Sequence, residues 1–183
     1  MKKKMLVVAL IVICLAVCAA GSYAYYVTEA PAHSVITTNG VSIEILQNGQ
    51  ARAAAPLAPM PGGSADYEVA VKALDAACWV RIKAAAEFTA ADGSTMSLTE
   101  DAVNAYVSIA GTSEKWQYNA ADGWYYYSEP LAEGAESELF ISELAFSGEM
   151  GNEFQGSSVT VTVTAEATQS ANNGTDGLSA VWG

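Results

Sequence analysis

Val159-Thr160-Val161-Thr162-Val163-Thr164-Ala165-Glu166-Ala167-Thr168 decides the fold, because apolar and polar residues alternate without a break through ten positions. In an extended chain successive side chains point to opposite faces, so this period places Val159, Val161, Val163, Ala165 and Ala167 on one side and four threonines and Glu166 on the other. A strand with one dry and one wet face belongs to an antiparallel sheet that packs against a second layer.

Working back toward the N-terminus, the same signature recurs at short intervals. Tyr67, Val69, Val71 and Ala73 alternate with Glu68 and Lys72, and Val80, Ile82 and Ala84 oppose Trp79, Arg81 and Lys83 within Cys78 to Thr89. Val41 to Ile45 forms a first strand between the turn signals Asn39-Gly40 and Asn48-Gly49. Gln50 to Ser64, with three prolines and Gly62-Gly63, is a loop or crossover. A short helix is expected only within Leu98 to Val107, where Thr99 supplies an N-cap and Glu100 and Asp101 face the positive end of the dipole. Val107-Ser108-Ile109 returns to a strand.

Trp116-Gln117-Tyr118 and Trp124-Tyr125-Tyr126-Tyr127 flank a turn at Asp122-Gly123 and read as an aromatic hairpin. Seven or more short strands with Gly, Asn and Asp turns predict an all-β antiparallel sandwich over about Gly40 to Gln169, followed by a tail. The domain as a whole runs over 40–183, after an extended N-terminal segment at 25–39.

The first 24 residues read as an address. Lys2, Lys3 and Lys4 precede an apolar run from Met5 to Ala20, and Ser22 and Ala24 occupy the −3 and −1 positions of a cut before Tyr25. The run falls short of the roughly 20 residues needed to span a bilayer, so a signal peptide is expected and no stable membrane anchor after cleavage. Signal peptidase is then a partner during export. A lipid-attachment reading at Cys18 is weaker, because Val17 stands where a small residue is required. The cut removes three lysines, leaving 5 basic against 20 acidic residues. A net charge of −15 repels phosphate backbones and argues against a nucleic-acid partner. It also removes Cys14 and Cys18, leaving Cys78 as a lone, buried, inert thiol in a strand.

The catalytic inventory is thin. His33, the single histidine, sits in the unpatterned lead-in, so neither a zinc site nor a Ser-His-Asp arrangement is indicated. No cofactor, metal or catalytic residue is assigned, and Glu133, Glu136 and Glu138 read as a solvated turn. The oxygen-rich Asn172 to Gly177 loop could hold Ca²⁺ but lacks EF-hand spacing. Trp116, Tyr118, Trp124 and Tyr126 offer a possible aromatic surface for sugar rings or a partner, against the competing reading that half of them fill the core. Three functions stay open: a structural matrix subunit, a glycan- or partner-binding module at the cell surface, and, least favoured, a secreted hydrolase.

Gly21-Ser22-Tyr23-Ala24-Tyr25-Tyr26 resembles the Gly-Thr-x-Ala-Tyr-Phe junction cut by SipW-type signal peptidases. Asn39-Gly40-Val41-Ser42-Ile43, Met60-Pro61-Gly62, Gly123 to Tyr127, Leu131 to Ala135 and Val161 to Ala167 are similar, in order, to landmarks of the TasA/camelysin family. The resemblance implies a jelly-roll sandwich exported by a Gram-positive bacterium and polymerising into biofilm-matrix fibres by donor-strand exchange. Its donor would lie within Tyr25 to Thr38, with Val35 and Ile36 the most apolar pair. Some relatives are described as metalloproteases; with no His cluster here, that activity does not carry over.

Overall fold

The computed structural model describes residues 34–37, as backbone, 41–51 and 56–182. Among the described residues nine strands appear: β1 Ser34–Thr37, β2 Ile43–Gln47, β3 Ser64–Ala73, β4 Cys78–Thr89, β5 Val107–Ala110, β6 Trp116–Asn119, β7 Trp124–Tyr127, β8 Ile141–Phe146 and β9 Ser158–Gln169. The helix α1 Glu100–Tyr106 precedes β5, and a 3-10 turn covers Asn152–Phe154. The strands form a five-stranded sheet in the order β1-β9-β4-β7-β6 and a four-stranded sheet in the order β2-β3-β8-β5. Every pairing is antiparallel except β1 with β9, which is parallel. The all-β sandwich read from the alternation is the observed fold.

β4 and β9 make its spine, paired in one unbroken register from Cys78↔Gln169 to Thr89↔Ser158. The alternation dictates what each face does. Val80 and Ile82 of β4 and Val159, Val161, Val163, Ala165 and Ala167 of β9 enter the core, where they meet Tyr67, Val69 and Val71 of β3 and Leu144 of β8. Phe140, fully buried, packs between the sheets, edge-on to Trp116 at 5.6 Å and to Tyr125 at 5.0 Å between ring centroids.

Local signals place the elements closely. The Thr99 hydroxyl accepts the Ala102 N–H at 3.3 Å and starts α1, as its cap sequence predicts. The first expected strand runs two residues later than the alternation suggested, because Asn48 and Gly49 both take positive φ (48° and 71°) and the hairpin extends to Gln47. The lead-in, which lacks periodicity, nevertheless supplies β1.

Two buried groups set the alkaline limit of the fold. Burial pushes the Tyr67 hydroxyl up to about 12, and burial together with nearby Asp75 pushes the Cys78 thiol up to about 11. Both are neutral when folded, while in the unfolded chain they ionise near 10.0 and 9.0. Their contribution is therefore complete below pH 9 and is lost as pH rises from 9 toward 12. Chemical-denaturation midpoints should hold between pH 7 and 8.5 and fall by pH 10.5, with Cys78 unreactive to thiol reagents until the chain unfolds. An alkaline fall that persists unchanged in Tyr67→Phe and Cys78→Ala variants would assign it elsewhere.

Candidate functional site

β4 is twelve residues long but β7 is four, so the two pair only at Arg81↔Tyr126 and Ile82↔Tyr125. Which backbone groups this leaves open follows from the ladder. Cys78 exchanges both its N–H and its C=O with Leu131, and Phe88 accepts from Met96 N–H, so even-numbered residues of β4 point away from β9. Between them Ala84 and Ala86 turn their N–H and C=O groups the same way, and among the described residues nothing pairs with them.

A groove lies along this gap. Two adjoining cavities of about 610 and 360 Å³ share Lys83 to Ala86, Glu100, Asn104 and Gly123. Its floor is the edge of the core: Ala84 and Ala86 are half-buried against it, and Val107, Ile109, Leu144 and Val161 line the deeper part. Across the groove runs the outer edge of β5, the last strand of the second sheet. Tyr106 C=O receives Ser147 N–H from the β8 side, so the alternate residues Val107 and Ile109 direct their backbone toward the groove. The Val107 N–H is taken by Val103 C=O, closing one corner with α1. Two open strand edges thus share one cleft, and the three alanines at 84–86 keep it unfilled.

The opposite, outer face of the five-stranded sheet is occupied. Trp79, Arg81, Trp124 and Tyr126 project there, and the tail beyond Gln169 covers them. The Arg81 guanidinium lies 4.6 Å from the ring centroids of both Trp124 and Trp182, donates to Glu166 Oε2 at 2.8 and 2.5 Å, and donates to the Tyr126 hydroxyl at 3.2 Å. The Tyr126 hydroxyl donates to Asp122 Oδ2 at 2.5 Å, and this bond holds the Asp122 carboxyl below the usual carboxylate range. Asn173 buckles the tail down: its carbonyl accepts Trp79 Nε1–H at 2.8 Å, its side-chain oxygen accepts Val181 N–H at 2.8 Å, and its amide donates to Thr168 Oγ1 at 3.0 Å.

These placements revise the expected aromatic surface. Trp116, Trp124 and Tyr126 are only 5, 8 and 4 % exposed, whereas Tyr118 is 59 % exposed. Trp116 faces the core and Trp124 and Tyr126 lie beneath the tail, so the four rings share no flat exposed face. Tyr118 packs against Tyr125, tilted by 45° with ring centroids 4.9 Å apart, at the rim of the groove. The Asn172 to Gly177 loop spends oxygens on its own chain, Asp176 Oδ1 accepting Ser179 N–H at 2.7 Å. Glu133, Glu136 and Glu138 are exposed, as a solvated turn requires; Glu136 pairs with Lys72 and Glu138 with Lys115. Among the described residues no three His, Cys, Asp or Glu side chains gather into a metal-ligand group, and no helix is long and apolar enough to cross a membrane.

Of the other expected sites, Ser22, Ala24, Tyr25 and His33 lie outside the described residues. Val35 and Ile36 fall in β1, in register with Ala165 and Glu166 of β9. Neither the groove nor the Arg81 cluster was legible as such. Trp124 and Trp182 were visible as aromatic residues, but nothing local joins them to Arg81. No protein-family model, curated protein or solved structure matches the chain.

Proposed function

We propose that this chain is an exported structural subunit of an extracellular fibre or biofilm matrix, joined to its neighbours by exchange of the N-terminal strand. The observation that carries the reading is β1 itself. The segment expected to act as donor pairs with β9 as an edge strand through one four-residue parallel ladder, Ser34↔Thr164 to Thr37↔Ala167. Parallel pairing is slightly weaker per residue than antiparallel, and an edge strand is held on one side only. A second copy offering the same residues to the same edge of β9 would replace each backbone bond in kind, so exchange costs little beyond association. The contact is head-to-tail and does not close on itself, which favours filaments over rings.

The strand order lends further support to a jelly-roll relationship. Going along the chain from β3, strands alternate between the two sheets except at the β6–β7 hairpin, and β9, β4 and β7 lie adjacent in one while β3, β8 and β5 lie adjacent in the other. The export-type N-terminus fits an extracellular location, with signal peptidase exposing Tyr25 as the new terminus and freeing the donor.

Deleting Tyr25 to Thr38 should leave the tryptophan emission and the denaturation midpoint of the sandwich within a small shift of the parent. The same deletion should abolish filaments by electron microscopy and leave a monomer by light scattering. Filaments of unchanged yield from the truncated chain would remove the strand-exchange reading.

A further inference from the structure

The cleft beside β4 calls for a different occupant. A strand edge with unpaired N–H and C=O groups above an apolar floor is the arrangement on which extended peptides add as an extra strand. The open stretch from Lys83 to Glu87 is five residues, about 17 Å at the rise of an extended chain. Ala84 and Ala86 present four backbone groups there, and their small side chains leave room over Leu144 and Val161 for the alternate side chains of a guest.

The rim decides the charge of that guest. Glu87, Glu100 and Asp122 stand around the cleft against the single ammonium of Lys83, and the Lys83 Nζ lies 4.5 Å from the Trp124 ring centroid. Surrounding them is a strongly acidic chain, 20 Asp and Glu against 8 Lys and Arg. A second copy brings the same sign of charge, whereas a cationic partner is drawn in.

We infer that the cleft between β4 and β5 is a peptide-binding site for a different, basic protein. It takes an extended segment with apolar side chains at alternate positions and Lys or Arg at its flanks, paired to Ala84 and Ala86. This site is separate from the β9 edge used by β1, so it holds whether or not strand exchange does.

The probes are two synthetic peptides, Lys-Lys-Val-Thr-Val-Thr-Val-Lys-Lys and its counterpart with Glu at the four flanking positions, added to the full chain. In the free protein the amides of Ala84 and Ala86 should exchange rapidly with deuterium while Ala85, bonded to β9, stays protected. The Lys-flanked peptide should slow exchange at residues 84 and 86 at least tenfold and bind at least tenfold more tightly than the Glu-flanked one, a preference that shrinks with added salt. Ala84→Pro removes an N–H that β9 does not use and should abolish binding; Ala86→Leu, which fills the cleft without touching the backbone, should do the same if the proline variant misfolds. Slow exchange at 84 and 86 in the free chain, equal binding of the two peptides, or tighter binding by a peptide of Tyr25 to Thr38 would each overturn the assignment.

Discussion

Trp116→Ala is expected to lower the unfolding free energy by about 3–5 kcal/mol, the range for removing a buried Trp or Phe side chain. Its ring packs on Tyr127 at 4.8 Å and on Phe140 at 5.6 Å, and its Nε1–H donates to the Glu138 carbonyl at 3.0 Å. Truncation opens a cavity at the centre of the aromatic layer and leaves that carbonyl without its indole partner. Tyr118→Ala, two residues along the same strand, should cost about 0.5 kcal/mol or less, as for an exposed surface position. Urea denaturation of the two variants measures the difference directly. Equal effects would mean that Trp116 faces solvent and that the hairpin presents a surface after all.

The second large effect is expected at Arg81. Removing one partner of a buried ion pair costs about 3–5 kcal/mol, and the partial exposure of this pair lowers the figure for Arg81→Ala to about 2–3 kcal/mol. The loss has two parts: Glu166 keeps a half-buried carboxylate with no cation, and the rings of Trp124 and Trp182 lose the guanidinium packed against both. The tail should then lift, reddening the tryptophan emission and admitting protease between Ser170 and Trp182. Replacing the pair together, Arg81→Met with Glu166→Leu, should recover most of the stability because no charge is stranded. A tail that remains protected in Arg81→Ala would show that Asn173 alone holds it.

How much of this was legible depends on the range of the interaction. Period-two alternation exposes a strand wherever one face is buried, so β3, β4 and β9 stand out from single stretches of sequence. The Thr99 cap and the Asp122-Gly123 turn are equally local, and α1 and the β6–β7 hairpin were read from them. Pairing is not local. Nothing in Cys78 to Thr89 announces that its partner lies some eighty residues on, and nothing announces that β7 stops after two pairs and leaves Ala84 and Ala86 open. The run Ala84-Ala85-Ala86 gives no sign of the gap for the same reason that it matters: it has no side chains large enough to declare a face.

The aromatic hairpin shows a different limit. Alternation correctly separates Trp124 and Tyr126 from Tyr125 and Tyr127, but it cannot say whether the outward pair meets water. The tail covers them, and the tail has no periodicity, since it docks through single side chains, Asn173 and Trp182, rather than through a repeating face. β1 has no alternation to announce it either, and only the expected donor pair Val35 and Ile36 pointed to that segment.

The register of β4 with β9 has a consequence for synthesis. The spine of the sandwich joins the second quarter of the chain to its last, so a polypeptide emerging N-terminus first exposes β4 long before β9 exists to receive it. Such non-local closure is slow and late. Until Gln169 has left the ribosome the sheet lacks its central partner, and until Trp182 follows, Arg81 has only one of its two rings. The domain therefore stays loose throughout elongation and closes only when nearly all of the chain has been made.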